Sequence, residues 1–243
     1  MNGIMIPKRA TVDELKAVEL PQQTDTYIPV PHDFVTSYIE NEVAEMLGGS
    51  YSLQSNEFGL SMKGDALFGM ACFKNSDDYV GLNIAYRNSY NKVFALAVAF
   101  GAQVFVCANG MLTGEVIVAK KHTVNVFESF KQIVEDNIDN AHKVYDSMKE
   151  DVDYMRNKAV AEIQAYQMLG VARGNDVLSS RVFETALQEY NKPTYEVHKD
   201  GSMMEVYNAC TEALKKETYP DRAMVKRIEL HGLFKDKFFK AVA

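Results

Sequence analysis

The sequence predicts an α+β fold, in which an antiparallel β-meander with a packed helix is followed by a long amphipathic helix and a helical C-terminal part. In the first half, short segments rich in strand-forming residues alternate with turn signals. In the second half, apolar residues recur about every 3.5 residues, which is typical of helices. We divide the chain into an extended N-terminal arm (1–31), an α+β sheet core (32–123) and a helical region (124–243) led by a long helix (124–169).

The arm is interrupted by prolines, which disfavour regular structure: Pro7, Pro21, Pro29 and Pro31. Thr11 and Glu14 form a capping-box pattern and predict one short helix over Thr11–Leu20. The remainder is expected to be extended. A loose terminus is one interpretation, because chain ends commonly fray, and an arm that docks on a neighbouring subunit is the other.

The sheet core begins with a predicted helix over His32–Leu47, capped by Asp33 and ended by Gly48 and Gly49. Short strands follow, joined by links that allow only antiparallel neighbours: Tyr51–Gln54, Phe58–Lys63, Leu67–Lys74 and Val80–Arg87. A turn is expected at Ser55 and Asn56.

The type of the next segment, Lys92–Phe100, cannot be read from periodicity, and its alanines favour a helix or a wide bend. Two more strands are predicted over Ala102–Ala108 and Glu115–Ala119. Asn109 and Gly110 form a dipeptide typical of a hairpin turn between them.

The long helix has an apolar stripe from Phe127 to Tyr166 and a length of about 65 Å at 1.5 Å per residue. This stripe either packs on the later helices of the same chain or mediates self-association. The opposite face is expected to be solvated and acidic and carries Glu135, Asp136, Asp139, Lys143, Glu150, Asp151 and Asp153. Three shorter helices are predicted after it: one over Asp176–Tyr190, one over Ser202–Lys216 with a second capping box, and a last one that Asp221 is expected to cap.

Composition argues against several classes of protein. The net charge of −7 disfavours a strongly basic nucleic-acid binder but permits a local basic surface. The cysteines Cys72, Cys107 and Cys210 are odd in number and widely spaced, as expected of reduced thiols in the cytoplasm. The longest apolar run, Val93–Cys107, is too short to span a bilayer, so no membrane partner is expected.

No motif predicts a metal, a cofactor or nucleotide hydrolysis, because neither zinc-type spacing nor a phosphate-binding glycine loop is present. For an enzyme, the only constellation that the sequence suggests is Cys107 with Asn109 and His122, which flank the same predicted hairpin. Buried cysteines are usually inert. The sequence therefore favours a protein without enzymatic activity.

A basic and aromatic group surrounds the centre of the chain and consists of Arg87, Lys92, Lys120, Lys121 and His122 with Tyr86 and Tyr90. The cations are candidates for phosphate contacts, and the two tyrosines are candidates for stacking on bases. The alternative is that these are ordinary sheet-edge cations, which also prevent edge-to-edge pairing.

The segments RNSYNK, VFVCANGMLTGE and AKKHT resemble a phage and plasmid-like protein family known as domain of unknown function 932. The likeness extends upstream to PHDFV (Pro31–Val35) and LFG (Leu67–Gly69), and downstream to VYNACTEALK (Val206–Lys215), so it covers the chain from Pro31 to about Phe234. Two departures are that Tyr90 replaces a common histidine, and that Met203 and Met204 stand where a tryptophan is often found. If that histidine has a chemical role in the family, this chain lacks it.

The resemblance implies a mobile-element origin, in particular a bacteriophage gene, and no established activity. We expect a non-enzymatic DNA-transaction protein that binds or anneals single-stranded DNA as a homo-oligomer, by analogy with annealing proteins on similar sheet-plus-helix scaffolds. The alternative is a phage protein that binds and modulates a host or defence protein through the acidic helix between Glu135 and Asp153.

Overall fold

A computed structural model describes residues 8–49, 51–75, 80–104 and 109–239. They form two compact units. The sheet unit contains residues 6–101 and 115–144, and the helical unit contains residues 145–243 with 102–114. The predicted α+β class and the meander are confirmed.

Helix α1 (Val12–Ala17) begins with the predicted capping box. The Thr11 hydroxyl accepts a hydrogen bond from the Glu14 N–H at 3.2 Å, and the Glu14 carboxylate accepts one from the Thr11 N–H at 2.8 Å. Two backbone donors at the helix start are thus satisfied reciprocally, which explains why so short a helix forms.

The described part of the arm packs on the sheet unit of its own chain. The Ala10 N–H donates to the Phe58 carbonyl at 3.1 Å, and the Leu60 N–H donates to the Lys8 carbonyl at 3.0 Å. Leu15 on α1 is buried. This part of the arm is therefore an added edge of the sheet unit.

The helix predicted after the arm consists of α2 (His32–Tyr38), a π-helical stretch (Ile39–Val43) and α3 (Ala44–Met46). The prediction that Asp33 caps it is wrong, because the cap residue is Pro31 and makes no side-chain hydrogen bond. Proline has no backbone N–H, so no donor of Pro31 needs a partner at this helix start.

Five strands form one sheet in chain order: β1 (Tyr51–Ser61), β2 (Ala66–Asn75), β3 (Val80–Ser89), β4 (Leu96–Val104) and β5 (Asn109–Lys120). The pairs β1–β2 and β2–β3 are antiparallel. The turn expected at Ser55 is instead a register shift between Leu53 and Ser55 inside the single strand β1. A bulge of this kind absorbs one residue without ending the strand.

The helix favoured for Lys92–Phe100 is wrong, and the expected bend is limited to the first residues of this segment, because β4 begins at Leu96. All five residues from Leu96 to Phe100 are buried, with large side chains alternating with Ala97 and Ala99. A strand covered on both faces loses the polar alternation by which strands are recognised. Asn109 and Gly110 begin β5, and 105–108 of the predicted strand Ala102–Ala108 lie outside the described residues.

Tyr86 lies on β3 opposite Gly69 of β2 and is fully buried. A Cβ atom at Gly69 would overlap the tyrosine ring, whose hydroxyl donates to the Asn56 side-chain oxygen at 2.6 Å. We expect Gly69→Ala to lower the free energy of unfolding by about 1–3 kcal/mol through overpacking. Urea denaturation checks this, with the exposed Gly49→Ala as control, because nothing lies near the added methyl group there. Equal stability of the two variants would contradict the close approach.

The helical region contains α4 (Val126–Asn157), α5 (Glu162–Gly174), α6 (Ser180–Asn191), α7 (Met203–Leu214), α8 (Pro220–Leu233) and a π-helical end (Phe234–Phe239). The Ser202 hydroxyl caps α7 by accepting from the Glu205 N–H. Asp221 does not cap α8, which begins one residue earlier, at Pro220. Over the described ranges, none of the helices is both long enough and apolar enough to cross a bilayer.

The prediction of one helix over 124–169 is wrong in extent, because α4 ends at Asn157. The Val160 N–H donates to the Gly201 carbonyl at 2.9 Å, and the Met203 N–H donates to the Lys158 carbonyl at 2.8 Å. These bonds replace helical ones and separate α4 from α5. As a result, Ile163, predicted to extend the apolar stripe, is 67% exposed.

Asp151 was expected on the solvated face of the long helix, but it is buried. Its carboxylate lies 3.1 Å from Nε2 of His231 and 2.9 Å from Nζ of Lys235. Burial raises the pKa of Asp151, but the hydrogen bonds from His231 and Lys235 outweigh it and hold the pKa below its usual value. Within the helical unit, α4 therefore packs on the C-terminal helices of the same chain.

Candidate functional site

Asn88, near the end of β3, is fully buried and joins three segments that are distant in sequence. Its Nδ2 donates to the Val30 carbonyl at 2.7 Å and to Nδ1 of His32 at 3.0 Å. Its Oδ1 lies 2.7 Å from Nε2 of His122. Both amide protons and the amide oxygen are thus used, and the partners place a proton on Nε2 of His122. We call Val30, His32, Asn88 and His122 the Asn88 network.

Two tyrosines enclose the Asn88 network. Tyr90 stacks on His32 with 3.8 Å between ring centroids, and its hydroxyl accepts from the His32 N–H at 3.0 Å. The Tyr27 hydroxyl donates to the Tyr90 carbonyl at 2.9 Å. Both rings are buried. Tyr90 therefore has its face against His32 and none available for a nucleotide base.

Burial keeps both histidines of the network neutral near pH 7. It lowers the pKa of His32 to about 4 and holds the pKa of His122 below its usual value. Nε2 of His32 donates to the Gly64 carbonyl at 3.0 Å, as the neutral ring with an Nε2 proton requires. His122 was predicted as a cationic phosphate contact, but it is a neutral group that supports Asn88.

A cleft of about 460 Å³ opens beside the network, and we call it the Lys92 cleft. Nζ of Lys92 lies 4.3 Å from the centroid of the Tyr27 ring, a cation–π contact at the wall of the cleft. Lys92 and Lys121 are both exposed. The lining residues are Thr26, Tyr27, Lys92, Val93, Phe94, Ala95, Lys121, His122 and Thr123.

The backbone of Lys92 is in the left-handed region, with φ of 62°. The Asn91 side-chain oxygen accepts from the Val93 N–H at 3.1 Å and closes the turn around it. For a residue other than glycine this conformation costs roughly 1–2 kcal/mol. The hydrogen bond from Val93 to Asn91 thus holds Lys92 in a conformation that a side chain disfavours.

The predicted site residues divide into two groups. Lys92, Lys121 and His122 line the Lys92 cleft, while the half-buried Arg87 lies with its guanidinium carbon 5.2 Å from the ring centroid of Phe94, a lining residue. Tyr86 faces the interior, so stacking of Tyr86 and Tyr90 on bases does not fit the structure. Of Lys120 only the backbone is described, as the last residue of β5.

The candidate enzyme constellation of Cys107, Asn109 and His122 lies largely outside the described part of the chain. Cys107 lies outside it, as does the side chain of Asn109. The other two thiols are buried, and burial raises the pKa of both Cys72 and Cys210 to about 12, as expected of inert core cysteines. In the described ranges, no three His, Cys, Asp or Glu side chains are grouped to hold a metal ion.

Tyr27, His32 and Asn88 were missed as site residues by sequence reasoning. A signal was present, since His32 lies in PHDFV, Asn88 in RNSYNK and His122 in AKKHT, the segments on which the family resemblance rests. In the folded chain these three segments meet at the amide of Asn88. Motifs that are far apart in sequence thus correspond to one hydrogen-bond network.

The chain belongs to the family described as Domain of unknown function (DUF932), whose model matches residues 37–230. This confirms the family resemblance. The match includes Asn88 and His122, whereas His32 lies just before it. No curated protein and no solved structure matches the chain.

Proposed function

We propose that the protein binds single-stranded DNA without enzymatic activity, in a DNA transaction of a bacteriophage or another mobile element. The observation that supports this most is the Lys92 cleft, in which two exposed lysines lie beside aromatic and apolar walls. Proteins that bind single strands combine cations along the phosphates with such surfaces for the bases. A cleft of this size suits a nucleotide unit, since small ligands occupy roughly 300–1,000 Å³.

Different residues of the Lys92 cleft are expected to contact the phosphates and the bases of the strand. The ammonium groups of Lys92 and Lys121 are available to phosphate oxygens, while Val93, which is 59% exposed, and Phe94 offer apolar contact to a base. The Asn88 network lies behind the cleft and fixes its wall through His122. The local surplus of cations is an exception on a chain with a net charge of −7. Binding is therefore expected to be local and sensitive to salt.

Annealing by a homo-oligomer in the host cytoplasm is part of the same proposal. Light scattering during size-exclusion chromatography, with and without labelled single-stranded DNA, tests it directly. A large assembly that elutes with the DNA would support annealing. If a monomer binds the DNA, the binding function still holds, but annealing by an oligomer is refuted.

The double variant Lys92→Gly and Lys121→Gln is expected to lose affinity for a single-stranded oligonucleotide and to keep its fold. Glycine at position 92 removes a charge and also relieves the left-handed backbone, so stability should change little. Fluorescence anisotropy across a salt series measures both affinity and slope. The slope of log K against log salt should fall by about 1.4, because each lost phosphate contact on a single strand contributes roughly 0.7.

Lys143→Gln is a matched control for this experiment. Lys143 is exposed on α4 and follows His142, whose ring contacts Tyr51 at the start of β1. The other end of β1, at Ser61, pairs with Ala66 beside the turn near the Asn88 network. Lys143 therefore lies at the opposite end of β1 from that network. This control should bind like the unchanged protein. Absence of binding by the unchanged protein at low salt would refute the proposed function.

A second candidate function, binding of a host or defence protein, is favoured by exposed acidic residues on α4: Glu135, Asp136 and Glu150. Burial of Asp151 in an ion pair reduces the acidic face on which this candidate was first based. The test is co-purification from host lysate. A host protein should be recovered with the unchanged chain and should be lost with the variant Asp136→Lys. Retention of DNA binding by that variant would separate the two functions.

A further inference from the structure

A second basic cleft lies in the sheet unit, between the arm and the turn that joins β1 to β2, and we call it the Lys63 cleft. Its volume is about 390 Å³. Lys8, Arg9 and Lys63 supply its cations, and Val18 and Leu60 supply apolar wall. None of these three cations belongs to the basic group that the sequence singled out.

Two acidic side chains lie at or beside the Lys63 cleft, and each is hydrogen-bonded within the sheet unit. Glu57 lies 2.7 Å from Nη2 of Arg9 and compensates that charge. Glu14, which lines the cleft, uses its carboxylate to accept the Thr11 N–H in the capping box. Lys8 and Lys63 are exposed and remain as the cations presented to solvent.

The Lys63 cleft and the Lys92 cleft are connected by direct contacts. Asn91, next to Lys92, donates from Nδ2 to Sδ of Met62, next to Lys63, at 3.4 Å. Met62 is 45% exposed between the two basic positions. Gly64, in the wall of the Lys63 cleft, accepts the hydrogen bond from His32 of the Asn88 network.

Backbone strain is concentrated at this junction. Met62, Lys63 and Lys92 have φ of 52°, 60° and 62°, and within the described ranges only Asp176, in the helical unit, is another non-glycine residue of this kind. Strained backbone of this type costs about 1–3 kcal/mol per residue and tends to occur at binding sites. Lys63, Lys92 and the exposed Met62 are thus held in backbone conformations that residues with side chains disfavour.

We propose that the two clefts form one track for a single strand, which enters the Lys92 cleft, crosses Met62 and continues into the Lys63 cleft. This inference rests on the proposed function and extends it to a longer footprint. The lysines contact successive phosphates, and the flexible thioether of Met62 adapts to whichever base lies above it. A strand held at two linked sites binds more tightly than one held at a single site.

The track predicts that affinity depends on the length of the oligonucleotide. An oligomer of about 4 nucleotides suits one cleft, and one of about 16 nucleotides can reach both, since single-strand sites cover roughly 4–16 nucleotides. The test uses oligothymidylates of these two lengths in anisotropy titrations over a salt series. The variant is Lys8→Gln with Lys63→Gly, which removes two charges and relieves the backbone at position 63.

We expect the variant to bind the 16-mer at least about tenfold more weakly, with a salt slope smaller by about 1.4. Its affinity for the 4-mer should fall by no more than about twofold, because a strand of that length still binds in the intact Lys92 cleft. An equal melting temperature confirms that the fold is kept, and Lys143→Gln shows the effect of removing one positive charge elsewhere on the sheet unit. Unchanged affinity of the variant for the 16-mer, or equal loss for both lengths, would overturn the track and leave the proposed function standing. Absence of binding by the unchanged protein to either length would instead refute the proposed function and the track together.

Discussion

Replacing Asn88 by alanine is expected to lower the free energy of unfolding of the sheet unit by about 3–5 kcal/mol. The change removes the partner of Nδ1 of His32, of the Val30 carbonyl and of Nε2 of His122, all of which are inside the protein. A buried polar group left without a partner costs about 1–3 kcal/mol. Partial rearrangement keeps the total below the sum of three such penalties.

Urea denaturation followed by circular dichroism and tyrosine fluorescence measures this effect, and the absence of tryptophan leaves the tyrosine signal undisturbed. Asn140→Ala is the matched control, because Asn140 is exposed on α4, and it should change stability by less than about 0.5 kcal/mol. If Asn88→Ala were as mild as the control, the network would not stabilise the fold.

The variant Asn88→Asp keeps the shape of the side chain and removes its N–H donors, so it tests the hydrogen bonds of the Asn88 network separately from packing. The carboxylate can still accept from His122, but it presents acceptors to Nδ1 of His32 and to the Val30 carbonyl, both of which also accept. We expect strong destabilisation at pH 7 that is partly relieved in acid, as His32 gains a proton on Nδ1. Equal stability of Asn88→Asp and the unchanged protein at pH 7 would contradict the proton arrangement.

Acidification from pH 7 to about pH 4 is expected to destabilise the sheet unit by about 3 kcal/mol through His32 alone. Burial lowers the pKa of His32 to about 4 from the ordinary value of 6.5. In the unfolded chain His32 is protonated below pH 6.5, whereas in the folded chain it stays neutral down to about pH 4. The folded state is therefore destabilised as the pH falls from 6.5 to 4. Each pH unit between the two values contributes about 1.4 kcal/mol. His122, whose pKa is also lowered by burial, acts in the same direction.

The variant His32→Gln tests this dependence, since glutamine does not titrate and can still donate to the Gly64 carbonyl. Stability measured by urea denaturation at intervals from pH 7 to pH 4 should fall less steeply for the variant than for the unchanged protein. Asp151 does not disturb the comparison, because it is present in both proteins and its lowered pKa contributes equally to the two curves. Parallel curves for the two proteins would show that His32 is not held neutral.

Much of the fold was predictable because its signals are local. The capping box of Thr11 and Glu14, the short strand links and the apolar periodicity of α4 each depend on residues a few positions apart. The end of α4 was not predictable in this way. It is set by two hydrogen bonds to residues more than forty positions later: the Lys158 carbonyl accepts from the Met203 N–H, and the Val160 N–H donates to the Gly201 carbonyl. The periodicity near Asn157 gives no sign of them.

The basic character of the candidate site was predictable, but its geometry was not. Lys92 and Lys121 were found from composition, and both line one cleft. The direction of Tyr86 depends on strand register, which places it opposite Gly69, and register is not visible in a single strand. Asn88 escaped notice because its partner His32 lies 56 positions away.

The span of the Asn88 network has a consequence for folding kinetics. Its side-chain bonds close loops of 56 and 34 residues, so they can form only after the arm, β3 and the end of β5 have assembled. The wall of the Lys92 cleft is therefore completed late, and a partly folded chain has no finished site. A ligand that fills the cleft binds only the folded chain, so the melting temperature should rise with the ratio of free ligand concentration to Kd.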